Sequence, residues 1–210
     1  MATPGERNAP ITLSEADILK RGLEAFAELG YEGASVRVLA RRLGVSHNFI
    51  NVRFGSKGKF WRAVVDAAMT SLRDDLVWAA DKSLPDDQLL RGIVFELFRH
   101  ASKVPEVNRI IADESARESD RLDYINVLYI QPFFTVLEPI LRRLMVARQM
   151  PDAPLEVVFA AINGSALALT HDPLVRRLGI SSTPGRSERA ELMARLLLDG
   201  LLPRTTGAAV

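Results

Sequence analysis

The chain has 210 residues, of which 48% are hydrophobic and 25% charged, and this composition is typical of a folded globular protein. It contains no cysteine, which excludes disulfides, thiol catalysis and cysteine-ligated zinc. The net charge of +1 is unevenly distributed, because residues 1–62 carry ten basic and six acidic side chains, whereas 17 basic and 20 acidic side chains follow. Positive charge is therefore concentrated near the N-terminus.

Residues 1–10 are polar and contain Pro and Gly, which predicts a flexible arm without the apolar core of a signal peptide. A first helix is expected to begin after Ser14, with Asp17 completing a rough capping box, and to end at Gly30. The longest uncharged stretch, residues 157–170, is shorter than the roughly 20 residues that a membrane-spanning helix needs. We therefore expect no contact with a membrane and a cytoplasmic location.

Residues 35–57 predict two short helices joined by a tight turn. The first has an apolar face at helical spacing, formed by Val36, Leu39, Ala40 and Leu43. Gly44 is expected to end this helix and Ser46 to cap the second one. The outward positions of the second helix are polar: His47, Asn48, Asn51 and Arg53. Two helices, a glycine turn and a polar outer face within a basic segment are typical of a helix-turn-helix that binds DNA.

The rest of the chain also has helical patterns, and we predict an all-α fold. A long helix begins near Lys57 and continues to about residue 76 without a linker, so we place the domain boundary inside it, with a DNA-binding domain at 1–62 and a second domain at 63–210. Further helices are predicted at residues 86–102, 105–116, 120–148, 154–170 and 187–202. Pro132 and Pro139 are expected to kink or split the third of these.

Residues 13–69 resemble the N-terminal domain of the tetracycline-repressor (TetR) family of bacterial regulators. The matching stretches are ILKRGLEAFAELGYEGASVRVLARRLGVS and FGSKGKFWRAVV, in the family's order and spacing. Where the family usually has an aromatic pair, this chain has Ile50-Asn51-Val52, so its base preference does not follow from the resemblance. The resemblance implies a three-helix DNA-binding domain followed by a helical domain that binds an effector and forms a dimer.

The predicted DNA-binding residues have three roles. Three of them, His47, Asn48 and Phe49, would meet base edges, since Asn pairs best with adenine and Phe can touch a thymine methyl. The resemblance implies that Arg37 reaches guanine. The predicted phosphate contacts are Ser35, Asn51, Arg53 and Lys57, and Ser46 completes the set. Two alternatives stay open: Phe49 as a core residue and His47 as a solvated surface group.

The C-terminal half is expected to hold a small, largely apolar effector, as the resemblance implies. The residues predicted to line its site are Phe95, Phe98, Tyr124, Phe133, Phe159 and Asn163. Any one of these aromatic residues has plain core packing as its alternative. Small side chains at i, i+4 and i+8 predict a close helix–helix contact in a homodimer, with intrachain packing as the alternative. The predicted interface residues are Ala160, Gly164, Ala168, Met193 and Leu197.

We therefore predict a DNA-binding regulator, a repressor released from a palindromic operator by a small molecule. Neither catalysis, a metal nor a cofactor is expected, because no motif pairs a nucleophile with a base, and no histidine accompanies Asp113 and Glu114 at ligand spacing. These two carboxylates are expected on solvated faces or as helix caps. Two other hypotheses are a ligand-independent, dimeric architectural DNA-binding protein and a helical enzyme that uses the helix-turn-helix for targeting.

Overall fold

The computed structural model describes residues 13–79, 83–170, 172–179 and 184–202. All regular secondary structure in these ranges is helical, which confirms the predicted fold class. The chain divides into two compact units between Val64 and Val65. The predicted arm, residues 1–10, lies outside the described ranges.

The first unit contains α1 (Glu15–Gly33), α2 (Val36–Leu43), α3 (Phe49–Phe54) and the beginning of α4 (Lys57–Ala79). Ser14 caps α1 by accepting a hydrogen bond from the backbone N–H of Asp17, as predicted. At Gly30 the backbone has a φ of +67°, so the regular helix is interrupted where the sequence indicated, although a short turn continues to Gly33. The largest fully buried side chains of this unit are Phe26, Leu39, Leu43, Ile50, Phe60 and Trp61.

Helices α1 and α4 approach closely at Gly22. A Cβ atom at this position would lie 2.6 Å from Cζ of Phe60 and 2.7 Å from Cγ2 of Val64. The Phe60 ring has no freedom to move away, because it is fully buried and its centroid lies 5.8 Å from that of Phe26 and 4.7 Å from that of Phe54. A glycine here therefore lets the α1–α4 pair form the base against which α3 packs.

The second unit contains α5 (Asp86–Lys103), α6 (Pro105–Ser115), α7 (Asp120–Ile125), α8 (Gln131–Val146), α9 (Leu155–Ala168), α10 (Asp172–Arg177) and α11 (Arg186–Leu201), together with residues of α4. The predicted helix at 120–148 is split by a π-helical turn, Asn126–Ile130, that directly precedes Pro132. Pro139, by contrast, lies inside α8. A proline removes one backbone donor, and the wider π turn accommodates that loss at the first site. Helix α10 was not predicted.

Helix α5 is the centre of this unit and packs against α6, α8, α9 and α11. Its buried side chains include Leu90, Ile93 and Phe98. Asn108 of α6 is also buried, and its Nδ2 donates to the backbone oxygen of Ala166 in α9 at 3.1 Å. A buried amide needs such a partner, so this bond ties α6 to α9.

The helical run Asp120–Val146 is, by length and composition alone, long and apolar enough to cross a membrane. The expectation of no membrane contact rested on residues 157–170 and did not take this run into account. Only 22% of the most apolar window of this run is buried, although α8 contributes Leu137, Ile140, Leu141 and Leu144 to the core of the second unit.

Glu114 is buried, which corrects the expectation that it lies on a solvated face or caps a helix. Its Oε1 accepts a hydrogen bond from Nε of Arg121 at 2.8 Å, and its Oε2 accepts one from the hydroxyl of Ser119 at 3.1 Å. Ser119 in turn caps α7 by accepting from the N–H of Leu122. The carboxylate thus fixes the turn between α6 and α7, and its partners lie beyond the end of α6, where the spacing of one helix no longer predicts which side chains meet.

Candidate nucleic-acid interface

Local signals and a shared core position the two short helices of the helix-turn-helix. Ser35 caps α2, since its hydroxyl accepts from the N–H of Val38 at 3.3 Å. Gly44 ends α2 in the left-handed conformation, with a φ of +72°, as the sequence indicated. Leu39, Leu43 and Ile50 are fully buried, so α2 and α3 are fixed to each other through apolar contacts.

Helix α3 begins later than predicted. Ser46 does not cap it: the backbone oxygen of Ser46 accepts the N–H of Phe49 at 3.0 Å in a turn, and the helix starts only at Phe49. Asn48 takes the cap position without a capping hydrogen bond from its side chain. His47 and Asn48 therefore precede the helix. They lie in a turn closed by the hydrogen bond between Ser46 and Phe49, and this turn takes the place of a first helical turn beginning at Ser46.

The outward surface of α3 brings together most of the predicted base-contacting residues. Ile50 is fully buried, and the exposed residues on and just before the helix are His47, Asn48, Asn51, Val52 and Arg53. Phe49 is half-buried, and its ring lies edge-on to that of Phe54 at a centroid distance of 6.4 Å. This contact favours the core alternative for Phe49, whereas the exposed Val52, at 77%, was not among the predicted site residues.

The cations around α3 fall into two groups. Arg37 and Arg41 are exposed, and neither forms an ion pair with any residue that the structure describes. Arg53 pairs with Glu15, and Arg42 forms two hydrogen bonds of 2.8 Å with Glu28, which lower the pKa of that carboxyl. Arg37 and Arg41 can thus bind an anion directly. Arg42 and Arg53 can do so only if they divide their hydrogen bonds between the anion and their carboxylate partner, or break the ion pair.

Lys57 is held by Tyr31. Its Nζ donates to the backbone oxygen of Tyr31 at 3.0 Å and lies 4.0 Å from the centroid of the Tyr31 ring. An ammonium group has three donors, so two remain for another acceptor. The adjacent Ser56 accepts from the N–H of Lys59 and so caps the beginning of α4.

The residues predicted to line the effector site differ in burial and in their contacts. Phe98 is fully buried in α5, whereas Phe95 and Phe133 are half-buried. Phe159 contacts Phe134 edge-on at 5.4 Å, and the Asn163 amide donates to the backbone oxygen of Phe159 within the same helix. Phe98 is therefore a core residue, and the side-chain amide of Asn163 is used in a hydrogen bond to the backbone of its own helix.

Tyr124 belongs to a polar cluster that sequence reasoning missed. Its hydroxyl donates to Oδ1 of Asp66 at 2.7 Å, and the hydroxyl of Tyr129, in the π turn, donates to the same oxygen at 2.6 Å. Burial, followed by the bond to Asp66, raises the pKa of Tyr129, which keeps its hydroxyl a donor. An aspartate within an apolar stretch of α4 is the one sequence signal that marks this cluster.

Two of the five predicted dimer residues face outward. Ala160 and Gly164 are exposed, and within the described part of the chain nothing beyond the helix itself comes within 4 Å of a Cβ atom built at Gly164. Ala168, Met193 and Leu197 are half-buried at the edge of this surface. Further exposed apolar side chains extend the surface on α9 and α11: Val157, Leu192 and Leu196.

Comparison with known proteins gives a family match for the first unit and a common fold for most of the chain. Residues 18–64 match the family described as "Bacterial regulatory proteins, tetR family". A ketosteroid transcriptional regulator of Mycobacterium tuberculosis is 17% identical, with a TM-score of 0.72 over 94% of this chain and 97% of that one. A tetR-family regulatory protein of Rhodococcus RHA1 is also 17% identical, with a TM-score of 0.72 over 90% and 98%.

The transcriptional regulator FadR of Bacillus subtilis, solved in complex with stearoyl-CoA, is 14% identical, with a TM-score of 0.65 over 90% of this chain and 100% of that one. At these identities the likeness shows a common fold. None of the curated proteins compared with the chain matches it.

Proposed function

Because residues 18–64 make the chain a member of the tetR family of bacterial regulatory proteins, we propose that it is a cytoplasmic, homodimeric repressor. It binds an inverted-repeat operator through α3 and leaves it when a small, largely apolar effector binds the second unit. The observation that carries the proposal is the exposed outer surface of α3 within the matched segment, flanked by Arg37 and Arg41, which pair with no carboxylate in the described ranges.

In this proposal the residues around α3 divide into those that specify and those that position. Asn48 and His47 read base edges, and Arg37 reaches a guanine. The phosphate contacts come from Ser35, Asn51, Arg53 and Lys57, with Ser46 and Arg41 beside them. Phe49 supports the surface from below through its contact with Phe54.

The test of the proposal is the selection of bound sequences from a random DNA pool. A two-fold dimer presents two α3 helices, so the selected sites should be inverted repeats with half-sites about 34–36 Å apart, or somewhat more. Gel-shift titration of the selected site then gives the affinity. Selected sequences without dyad symmetry would contradict the dimeric reading of DNA.

The division of roles predicts different losses for two variants. Asn48→Ala should lose about 1–3 kcal/mol on the selected operator and relax its preference at one base pair. Arg53→Ala should weaken binding to every DNA by a similar factor and reduce the slope of log affinity against log salt by about one. Fluorescence anisotropy on operator and random duplexes measures both effects.

Arg142→Ala is the matched control for the second variant. Arg142 is an exposed arginine of α8 that pairs with Glu138, just as Arg53 is an exposed arginine of α3 that pairs with Glu15. It should leave DNA affinity unchanged. Equal losses on operator and random DNA for Asn48→Ala would show that the roles are wrongly divided.

The aromatic side chains of the second unit and the stearoyl-CoA in the FadR structure support an effector with a large apolar part. A thermal-shift screen of acyl-CoA and steroid compounds tests this, because a ligand that binds only the folded state raises the unfolding temperature by mass action. A hit must also release the operator. A protein that no compound stabilises, yet that binds its operator, would favour the ligand-independent architectural alternative.

A further inference from the structure

Val52 is an apolar side chain at the centre of a polar surface. It is 77% exposed, whereas Ile50, two residues earlier in α3, is fully buried. Two residues correspond to a rotation of about 200° around a helix, so Val52 lies almost directly opposite the side that packs on the core. If α3 enters a groove, Val52 is thus at the front of it.

Asn48 lies on the same side, one turn earlier. The backbone N–H of Val52 donates to the oxygen of Asn48 at 3.0 Å, which places the two residues in the i, i+4 relation in which side chains are neighbours. The Phe49 ring, the other apolar group near this surface, is turned onto Phe54. Asn48 and Val52 together therefore form the front of the helix.

The chemistry of valine limits what it can contact there. It has no hydrogen-bond donor, so it cannot hold a phosphate or a purine edge. The only apolar group that base pairs present in the major groove is the C5-methyl of thymine. A lone exposed valine elsewhere on a protein needs no explanation. In the major groove, however, it contacts either a thymine methyl group or a polar base edge whose hydrogen-bonding groups it leaves without a partner.

We propose that Val52 reads a thymine methyl group in each operator half-site, close to the adenine read by Asn48. This inference rests on the proposed function, because it requires that α3 bind in the major groove. One helical turn rises about 5.4 Å, and base pairs are spaced about 3.4 Å apart, so the thymine lies within two base pairs of the adenine. Half-sites should thus contain a short A·T-rich element.

The test replaces each thymine of the selected operator in turn by deoxyuridine, which removes only the methyl group. For the wild-type protein, one symmetric pair of replacements should lower affinity by about fourfold per half-site, the value for one methyl-sized apolar group. Val52→Ala should bind the thymine operator more weakly and be insensitive to that same replacement. Val52→Thr, which keeps one methyl group, should retain part of the sensitivity.

Arg53→Ala is the control, since it should bind more weakly overall and still show the full loss on deoxyuridine. An operator in which no replacement affects the wild-type protein would overturn the inference, as would a Val52→Ala variant that keeps the full loss. If the wild-type protein selects no sequence at all, the proposed function fails and this inference fails with it. Val52 is exposed, and a circular-dichroism melt checks that both of its variants fold.

Discussion

Gly164→Leu should convert the proposed dimer to monomers and lower operator affinity by about 10²–10⁴-fold. The residue lies on the outward side of α9, where an added Cβ atom meets nothing in the described part of its own protomer. The effect of the substitution therefore falls on the partner, whose helix is held at a greater distance by the leucine. DNA binding weakens because a dimer that has bound one half-site holds its second α3 helix at a high effective concentration near the other half-site. Monomers lose this gain in affinity.

Gly164→Ala is the matched control, because alanine adds one methyl group and favours the helix by about 1 kcal/mol. It should keep the dimer and raise the melting temperature of the protein. Light scattering gives the mass of each variant and anisotropy its affinity for the operator. A Gly164→Leu protein that remains dimeric would refute the assignment of α9 to the interface, and Leu196→Glu on α11 tests the other half of the same surface.

Glu114→Ala should lower the free energy of unfolding by about 3–5 kcal/mol, the usual cost of breaking a buried ion pair by removing one of its members. The carboxylate is almost fully buried and the side chain of Arg121 is only 20% exposed, so water replaces the lost contact poorly. Ser119 would also lose the acceptor of its hydroxyl. Urea denaturation, with the slope held as a check on two-state behaviour, measures the loss.

Asp113→Ala is the matched control, since this neighbouring carboxylate pairs with Arg117 on the surface, where such pairs contribute about 0–1 kcal/mol. The double variant Glu114→Ala/Arg121→Ala should recover part of the stability, because it also removes the cation that no longer meets the Glu114 carboxylate. Equal effects of the Asp113 and Glu114 substitutions would mean that burial does not set the strength of the Glu114 pair.

The features that the sequence predicted correctly depend on residues close together in the chain. Ser14 and Gly44 act within one helical turn, and each begins or ends its helix as expected. Ser46 is the exception, because a turn to Phe49 uses the same local chemistry and delays α3. The family match at residues 18–64 likewise rests on a contiguous pattern.

What the sequence did not reveal depends on distant partners or on which face packs inward. Asp66 meets tyrosines 58 and 63 residues away, and no periodicity links such positions. The outward orientation of Val157 on α9 follows from the burial of Val158, Ile162 and Ala166, a choice that apolar spacing alone leaves open. Val52 is a similar case, since its exposure depends on the burial of Ile50.

Helix α4 also has the geometry of a lever. It is continuous from Lys57 to Ala79, and the two tyrosine hydroxyls hold it at Asp66. Nine residues separate Asp66 from Lys57, a distance of roughly 13 Å along the axis, so a rotation of about 10° around Asp66 displaces Lys57 by roughly 2 Å. Hydrogen-bond lengths vary by only about 0.5 Å. A rotation of that size about Asp66, the residue that Tyr124 and Tyr129 hold, would therefore break the phosphate contact proposed for Lys57.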